Sequence, residues 1–203
     1  DEIFTFVERL NNELNRKNNF DKDFVMRSCL VISDLDHVYK VNNFTKDALS
    51  TIKANWPKIR HVLEATTRLI NRFGIDRDTL TSVNALQPIA YYLSKIDSSL
   101  DGSTPFEVSN REKIRKWLLG ALLNKVFGGS SDQTLGVARQ IIKEALQSSQ
   151  DFPYDALCEG LLKRRGRVVN FDDNNLDALL VESSYKSPTC FLALSVLYAE
   201  RNW

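Results

Sequence analysis

No two cysteines in this sequence form a CxxC pair, and the three present, Cys29, Cys158 and Cys190, are odd in number and widely spaced. That pattern excludes a disulfide framework and a zinc knuckle, and it points to a reducing compartment such as the cytoplasm. An excess of charge is missing too: 27 basic and 26 acidic residues leave a formal net charge of +1. A total so near neutral removes any global pull toward nucleic acid or anionic lipid, so only a local patch would supply one. Long apolar runs are absent. The densest, such as Trp117 to Leu123, falls far short of the roughly 20 residues that cross a bilayer as a helix, so no membrane partner is expected. Signal-peptide features, internal repeats and strand-like alternation of useful length are also lacking.

What is present is ordinary globular composition, 43% hydrophobic and 26% charged over 203 residues, enough for one domain or two tightly packed lobes. Apolar positions recur at helical intervals. Ile3, Val7, Leu10 and Leu14 form one stripe; because it begins almost at Asp1, without an initiating Met, the segment is expected to be part of a longer chain. Asp21 is placed to cap a short helix through Phe24, Val25, Cys29 and Ile32. Thr45 opens a run in which Pro57 either starts a second helix or interrupts a continuous one, and Ile59, Val62, Leu63, Thr66, Ile70 and Phe73 then share a face up to Gly74, a C′ residue. A further helix spans about Leu86 to Ile96.

The stretch from Asp97 to Val108 is rich in turn formers, and it divides the chain into an N-terminal lobe (1–97), a linker (98–108) and a C-terminal lobe (109–203). Ser109 followed by Glu112 reads as a capping box for a helix that is apolar around most of its circumference from Ile114 to Val126. Helices follow from the Gly128–Gln133 loop, from near Asp151 and from near Asp172, and Ser187 with Pro188 starts the last one. The sequence therefore predicts an all-α bundle of about nine to ten helices.

Three segments in the second half carry a resemblance: Trp117-Leu118-Leu119-Gly120-Ala121-Leu122-Leu123, Phe127-Gly128-Gly129-Ser130-Ser131-Asp132, and Cys190 to Tyr198. Upstream, Leu86-Gln87-Pro88-Ile89-Ala90-Tyr91-Tyr92-Leu93 has the form apolar-x-Pro-apolar-Ala-Tyr-Tyr-Leu, and Asp34 to Phe44 fits less sharply. In that order these resemble the carboxy-terminal helical region of the bacterial family catalogued as domain of unknown function 262, over most of the chain. The resemblance implies a parent protein in phage defence, related to GmrSD-type modification-dependent restriction systems that use nucleotide hydrolysis and DNA cleavage. It also implies a preceding ParB-like nuclease-fold domain with an Asp-Gly-Gln-Gln-Arg motif. That motif is not in this sequence, and no family catalytic residue falls on the matching positions. The expectation is a fragment with no catalytic residue, metal or cofactor of its own, whose partner is the missing N-terminal domain of a nucleotide-dependent DNA endonuclease.

Two basic groups, Arg111, Lys113, Arg115 and Lys116, and Lys163, Arg164, Arg165 and Arg167, are the candidates for touching DNA phosphates. The second precedes Gly166 at a helix carboxy terminus, where the dipole alone favours cations; the first opens a helix, where it opposes the dipole. Gly128, Gly129, Ser130 and Ser131 are the candidate anion-binding loop, since glycines let amides converge before a helix. It is no Walker motif, because the Lys is missing, and Ser130 with Gln133 makes an adequate capping box. Asp34, Asp36 and His37 suggest metal chemistry only faintly, turn and capping roles suiting them better. His61 reads as a boundary histidine, Asp172 and Asp173 as caps, the cysteines as small core residues, and Tyr91, Tyr92 and Trp117 as core aromatics rather than base-stacking platforms.

Overall fold

The computed structural model describes residues 2–129, 131–170, 181 and 184–198. Among them are eight α-helices and no strand: α1 (Glu2–Asn12), α2 (Lys22–Ile32), α3 (Lys46–Arg72), α4 (Leu86–Ile96), α5 (Pro105–Leu123), α6 (Ser131–Ala145), α7 (Tyr154–Arg165) and α8 (Pro188–Leu197). The all-α class is as the sequence predicts, with fewer helices than the nine to ten expected. The helix read from Asp172 and the pairing of Ser130 with Gln133 lie outside the described residues. None of the described helices is long and apolar enough to cross a membrane.

Helix boundaries follow from local chemistry. Asp21 accepts from the Phe24 amide at 2.8 Å, Thr45 from Ala48 at 3.2 Å and Ser187 from Cys190 at 3.2 Å, each satisfying a first-turn donor that the helix leaves unpaired. Pro57 lies within α3, which continues through it for 27 residues, about 40 Å. Gly74, at φ +79°, is the left-handed C′ residue that ends that helix. The start of α5 differs from expectation. Its cap is Thr104, not Ser109: the Thr104 hydroxyl accepts from the Glu107 amide and the Glu107 carboxylate accepts from the Thr104 amide, with Pro105 in the first turn. Both serine and threonine offer a capping box to Glu, but the fixed φ of Pro105 suits a first helical position and would disrupt nothing there. Residues 105–108, expected in the linker, are therefore helical.

Burial decides the rest. The helix α4 contains weak helix formers, Pro88, Tyr91 and Tyr92, yet nine of its eleven residues are buried. Pro88 falls in the first turn, where its missing N–H breaks no helical hydrogen bond, and at roughly 1.5–3 kcal/mol for each large side chain removed from water, packing outweighs the few tenths that each tyrosine costs in propensity. In space α4 lies against α2, α3 and α6, while α6 packs on α7, and α5 on α7 and α8. One buried cluster takes in residues from Phe6 to Ala193 and so includes both halves of the chain. Gly120 of α5 has no Cβ because the Val169 carbonyl lies where it would be, letting residues 166–170 cross the helix closely.

Polar side chains are set into this apolar interior as well. The buried Gln87 amide of α4 donates to Ser28 Oγ of α2 at 3.0 Å and to the Phe24 carbonyl at 3.3 Å. Asn71 of α3 donates to Asn18 Oδ1 at 2.9 Å and to the Ile75 carbonyl at 2.9 Å. Buried amides are tolerated because their partners are in place.

Candidate functional site

A cavity of about 800 Å³ opens where α5 meets the first turn of α7 and the last turns of α8. Helical spacing builds its floor: Glu112, Arg115, Lys116 and Leu119 fall at i, i+3, i+4 and i+7 on α5 and share one face. Tyr154, Asp155 and Asn170 also line it. Of the cations that the sequence offers as phosphate contacts, Lys113, Arg115 and Lys116 line this cleft; Tyr154, Asn170 and Ser195, which line it too, are not among the sequence candidates.

Each cation of the cleft already has a partner in the chain. Lys113 Nζ is 3.0 Å from the Asp151 carboxylate. Arg115 donates to the Ser195 carbonyl at 3.0 Å, tying α5 to α8. Lys116 Nζ stands 4.8 Å from the centre of the Tyr154 ring, within cation–π range, and the Tyr154 hydroxyl donates to Asn170 Oδ1 at 2.8 Å. Burial, reinforced by the nearby Cys158, pushes the Tyr154 phenol up from its ordinary value, so it stays protonated. The hydrogen bonds from Lys113 and then Asn110 hold Asp151 below the usual carboxylate range. Glu112 and Asp155 bring negative charge to the same walls. The cleft is therefore charge-mixed.

Arg111, the fourth residue of that group, turns away: its guanidinium donates to the carbonyls of Leu100 and Gly102, both at 2.6 Å, clamping the turn before α5. The second basic group lies at the other end of α7. Lys163 and Arg164 border a smaller groove between α6 and α7, and Arg164 meets Glu144 at 3.5 Å. Arg167 reaches the glycine loop instead, donating to the Gly128 carbonyl at 3.0 Å. In that loop the Gly128 amide binds the Lys125 carbonyl and the Ser131 amide binds the Gly129 carbonyl, so those two donors close on the loop itself. Ser130 lies outside the described residues. Negative charge at the start of α6 comes from Asp132, whose carboxylate pairs with Arg27 of α2.

No protein-family model matches this chain, and no curated protein matches it. Site chemistry is left to the residues themselves.

Asp34, Asp36 and His37 do not converge. The Asp34 carboxylate accepts from the Tyr91 hydroxyl at 2.8 Å and from Lys95. Burial works to raise its pKa, but those two hydrogen bonds outweigh it and the net shift is downward. His37 Nε2 lies 2.8 Å from the Asp132 carbonyl, which makes that nitrogen the protonated one, and Nδ1 is 4.0 Å from Asp36. Among the described residues no group of three or more His, Cys, Asp or Glu is arranged to hold a metal ion. The cysteines are unpaired; burial pushes the Cys29 thiol up to about 12 and the Cys158 thiol to about 11, which keeps both as thiols rather than nucleophilic thiolates. Tyr91, Tyr92 and Trp117 are fully buried, as their core reading requires.

Proposed function

We propose that this chain is a non-catalytic helical accessory module of a larger cytoplasmic phage-defence protein. In this reading it packs on, or relays state to, a nuclease or nucleotide-hydrolysing domain elsewhere in that protein, and it needs no cofactor of its own. The family resemblance supplies the biological setting. The observation that supports the accessory role is the use made of the charged side chains: Lys113, Arg115, Arg111, Arg164 and Arg167 each fasten one element to another. Groups engaged in holding helices and turns together are poorly placed to activate a nucleophile, which needs an acid or base within hydrogen-bond reach of a reacting atom. The purified chain, assayed with ATP, GTP and duplex DNA in the presence of magnesium, is expected to hydrolyse none of them. Turnover by the chain alone would overturn the proposal.

A second reading, a nucleic-acid-binding module, draws on the gathering of Lys113, Arg115 and Lys116 beside an aromatic ring. It requires an affinity that falls steeply with salt as counterions are released. Titration of a labelled oligonucleotide from low to high salt, repeated with Lys116→Glu and with Arg164→Glu, separates the two readings. A steep slope reduced by either charge reversal selects nucleic acid; salt-independent or absent binding selects the accessory module.

A further inference from the structure

Between the last residue of α2 and the cap of α3, residues 33–44 form a connection in which not one residue is buried. Leu35, Tyr39 and Phe44 are only partly covered, and Val41 is 88% exposed. Polar contacts hold this connection down. The Leu35 carbonyl accepts from Arg139 of α6 at 2.6 Å, His37 donates to the Asp132 carbonyl of α6, and Asp34 is held by Tyr91 and Lys95 of α4. Asp34 itself sits at φ +57°, a left-handed conformation disfavoured for a residue with a side chain. The seat for His37 is shaped for it. A Cβ on Gly136 would lie 2.7 Å from the imidazole, so the ring rests against bare helix backbone.

We propose that residues 33–44 are a strap that opens locally while the helices remain folded, uncovering the face of α6 that carries Gly136 and Arg139. Few buried apolar contacts and fastenings that are largely hydrogen bonds at partly exposed groups place such a segment at the low end of a protein's range of opening free energies. The helices on either side lie at the high end, since α2 buries seven of its eleven residues. Opening releases the Asp132 carbonyl and the Arg139 side chain of α6 from residues 33–44, while the Arg27–Asp132 ion pair and the packing of α4 on α6 stay in place. It rests on the accessory reading in one respect: it gives the module a two-state element through which a neighbouring domain can be sensed.

Gly136→Ala tests this directly. Alanine favours helix over glycine, so the substitution supports α6 while its methyl group evicts His37. By hydrogen exchange followed by mass spectrometry, peptides covering residues 34–44 are expected to exchange at least about tenfold faster, with α2 and α6 unchanged or slower. Arg139→Met is expected to do the same, and 1 M salt is expected to accelerate the strap of the unmodified chain by screening its fastenings. Acceleration of α2 and α6 in parallel with the strap would show a single cooperative unit and overturn the proposal. So would strap exchange that neither variant alters. Nucleotide or DNA hydrolysis by the chain would end the accessory reading and leave this exchange pattern as it is, so the two failures are distinguishable.

Discussion

Asn110 joins three parts of the molecule, and its removal gives the sharpest test of how the second half is held. The side chain is fully buried on α5. Its oxygen accepts from the Tyr92 hydroxyl of α4 at 3.1 Å and from the Phe152 amide; its nitrogen donates to the Phe106 carbonyl at 2.8 Å and to Asp151 at 3.2 Å. In Asn110→Ala the Tyr92 hydroxyl keeps the Gln150 carbonyl at 2.7 Å, and Asp151 keeps Lys113. The Phe152 amide keeps nothing. A buried donor left without an acceptor costs about 1–3 kcal/mol, the small void adds to that, and the better helix propensity of alanine returns about 0.5 kcal/mol. The net loss is about 2–3 kcal/mol. For a chain of this size each kcal/mol moves Tm by roughly 2–4 °C, so thermal denaturation is expected to shift down by roughly 5–10 °C, with a matching fall in the urea midpoint at unchanged m. A loss under about 1 kcal/mol would refute the reasoning, because it would mean the Phe152 amide reaches water or another acceptor. Asn110→Asp supplies a control: the oxygen acceptor survives, but the introduced carboxylate faces Asp151, so this variant is expected to gain stability relative to wild type as pH falls toward 4.

Thr104→Ala is expected to cost about 1 kcal/mol in urea denaturation and Ser109→Ala close to nothing, because the first is the cap of α5 and the second lies inside it; equal effects would contradict the observed start. Gly120→Ala is expected to destabilise by about 1–3 kcal/mol, since the methyl group must displace the Val169 carbonyl, and a Tm unchanged or raised would show that residues 166–170 yield freely. Asp34 and Asp151 both have folded pKa values below their ordinary 3.8. Depressed carboxylates stabilise above the unfolded value and lose that contribution as pH falls through the folded one. The urea midpoint of wild type is therefore expected to drop below about pH 4, and that of Asp151→Asn to drop less, the two curves converging in acid; parallel curves would show the Asp151 contacts to be without energetic effect.

Helix identity was legible because burial follows the 3.6-residue period. Ile59, Val62, Leu63 and Ile70 were read onto one face of α3 and are buried there. Capping chemistry was legible for the same kind of reason, a side chain acting on an amide three residues away. The α5 start shows the limit: Thr104 and Ser109 offer equivalent boxes to a glutamate three residues on, and Pro105, suited to the first helical position, separates them. The candidate site was legible as composition and not as geometry. Charge runs reveal where cations are, but their partners lie far along the chain, as with Lys113 and Asp151 or Arg115 and Ser195, and periodicity names the face that turns inward without naming what it meets. Gly136 gave no local signal at all, since its role depends on an imidazole 99 positions away, the separation between 37 and 136.

The Gln87 amide and Ser28 hydroxyl, enclosed between α4 and α2, act as a key between two otherwise greasy rods. Leucine and isoleucine faces tolerate slippage by one turn, because one methyl group is much like the next; an amide shifted by about 5 Å would find hydrocarbon where it needs oxygen. Removing the key altogether, with Gln87→Leu and Ser28→Ala together, is accordingly expected to leave overall stability near that of the unmodified chain while broadening methyl NMR signals from α2 and α4, as the rods sample more than one alignment.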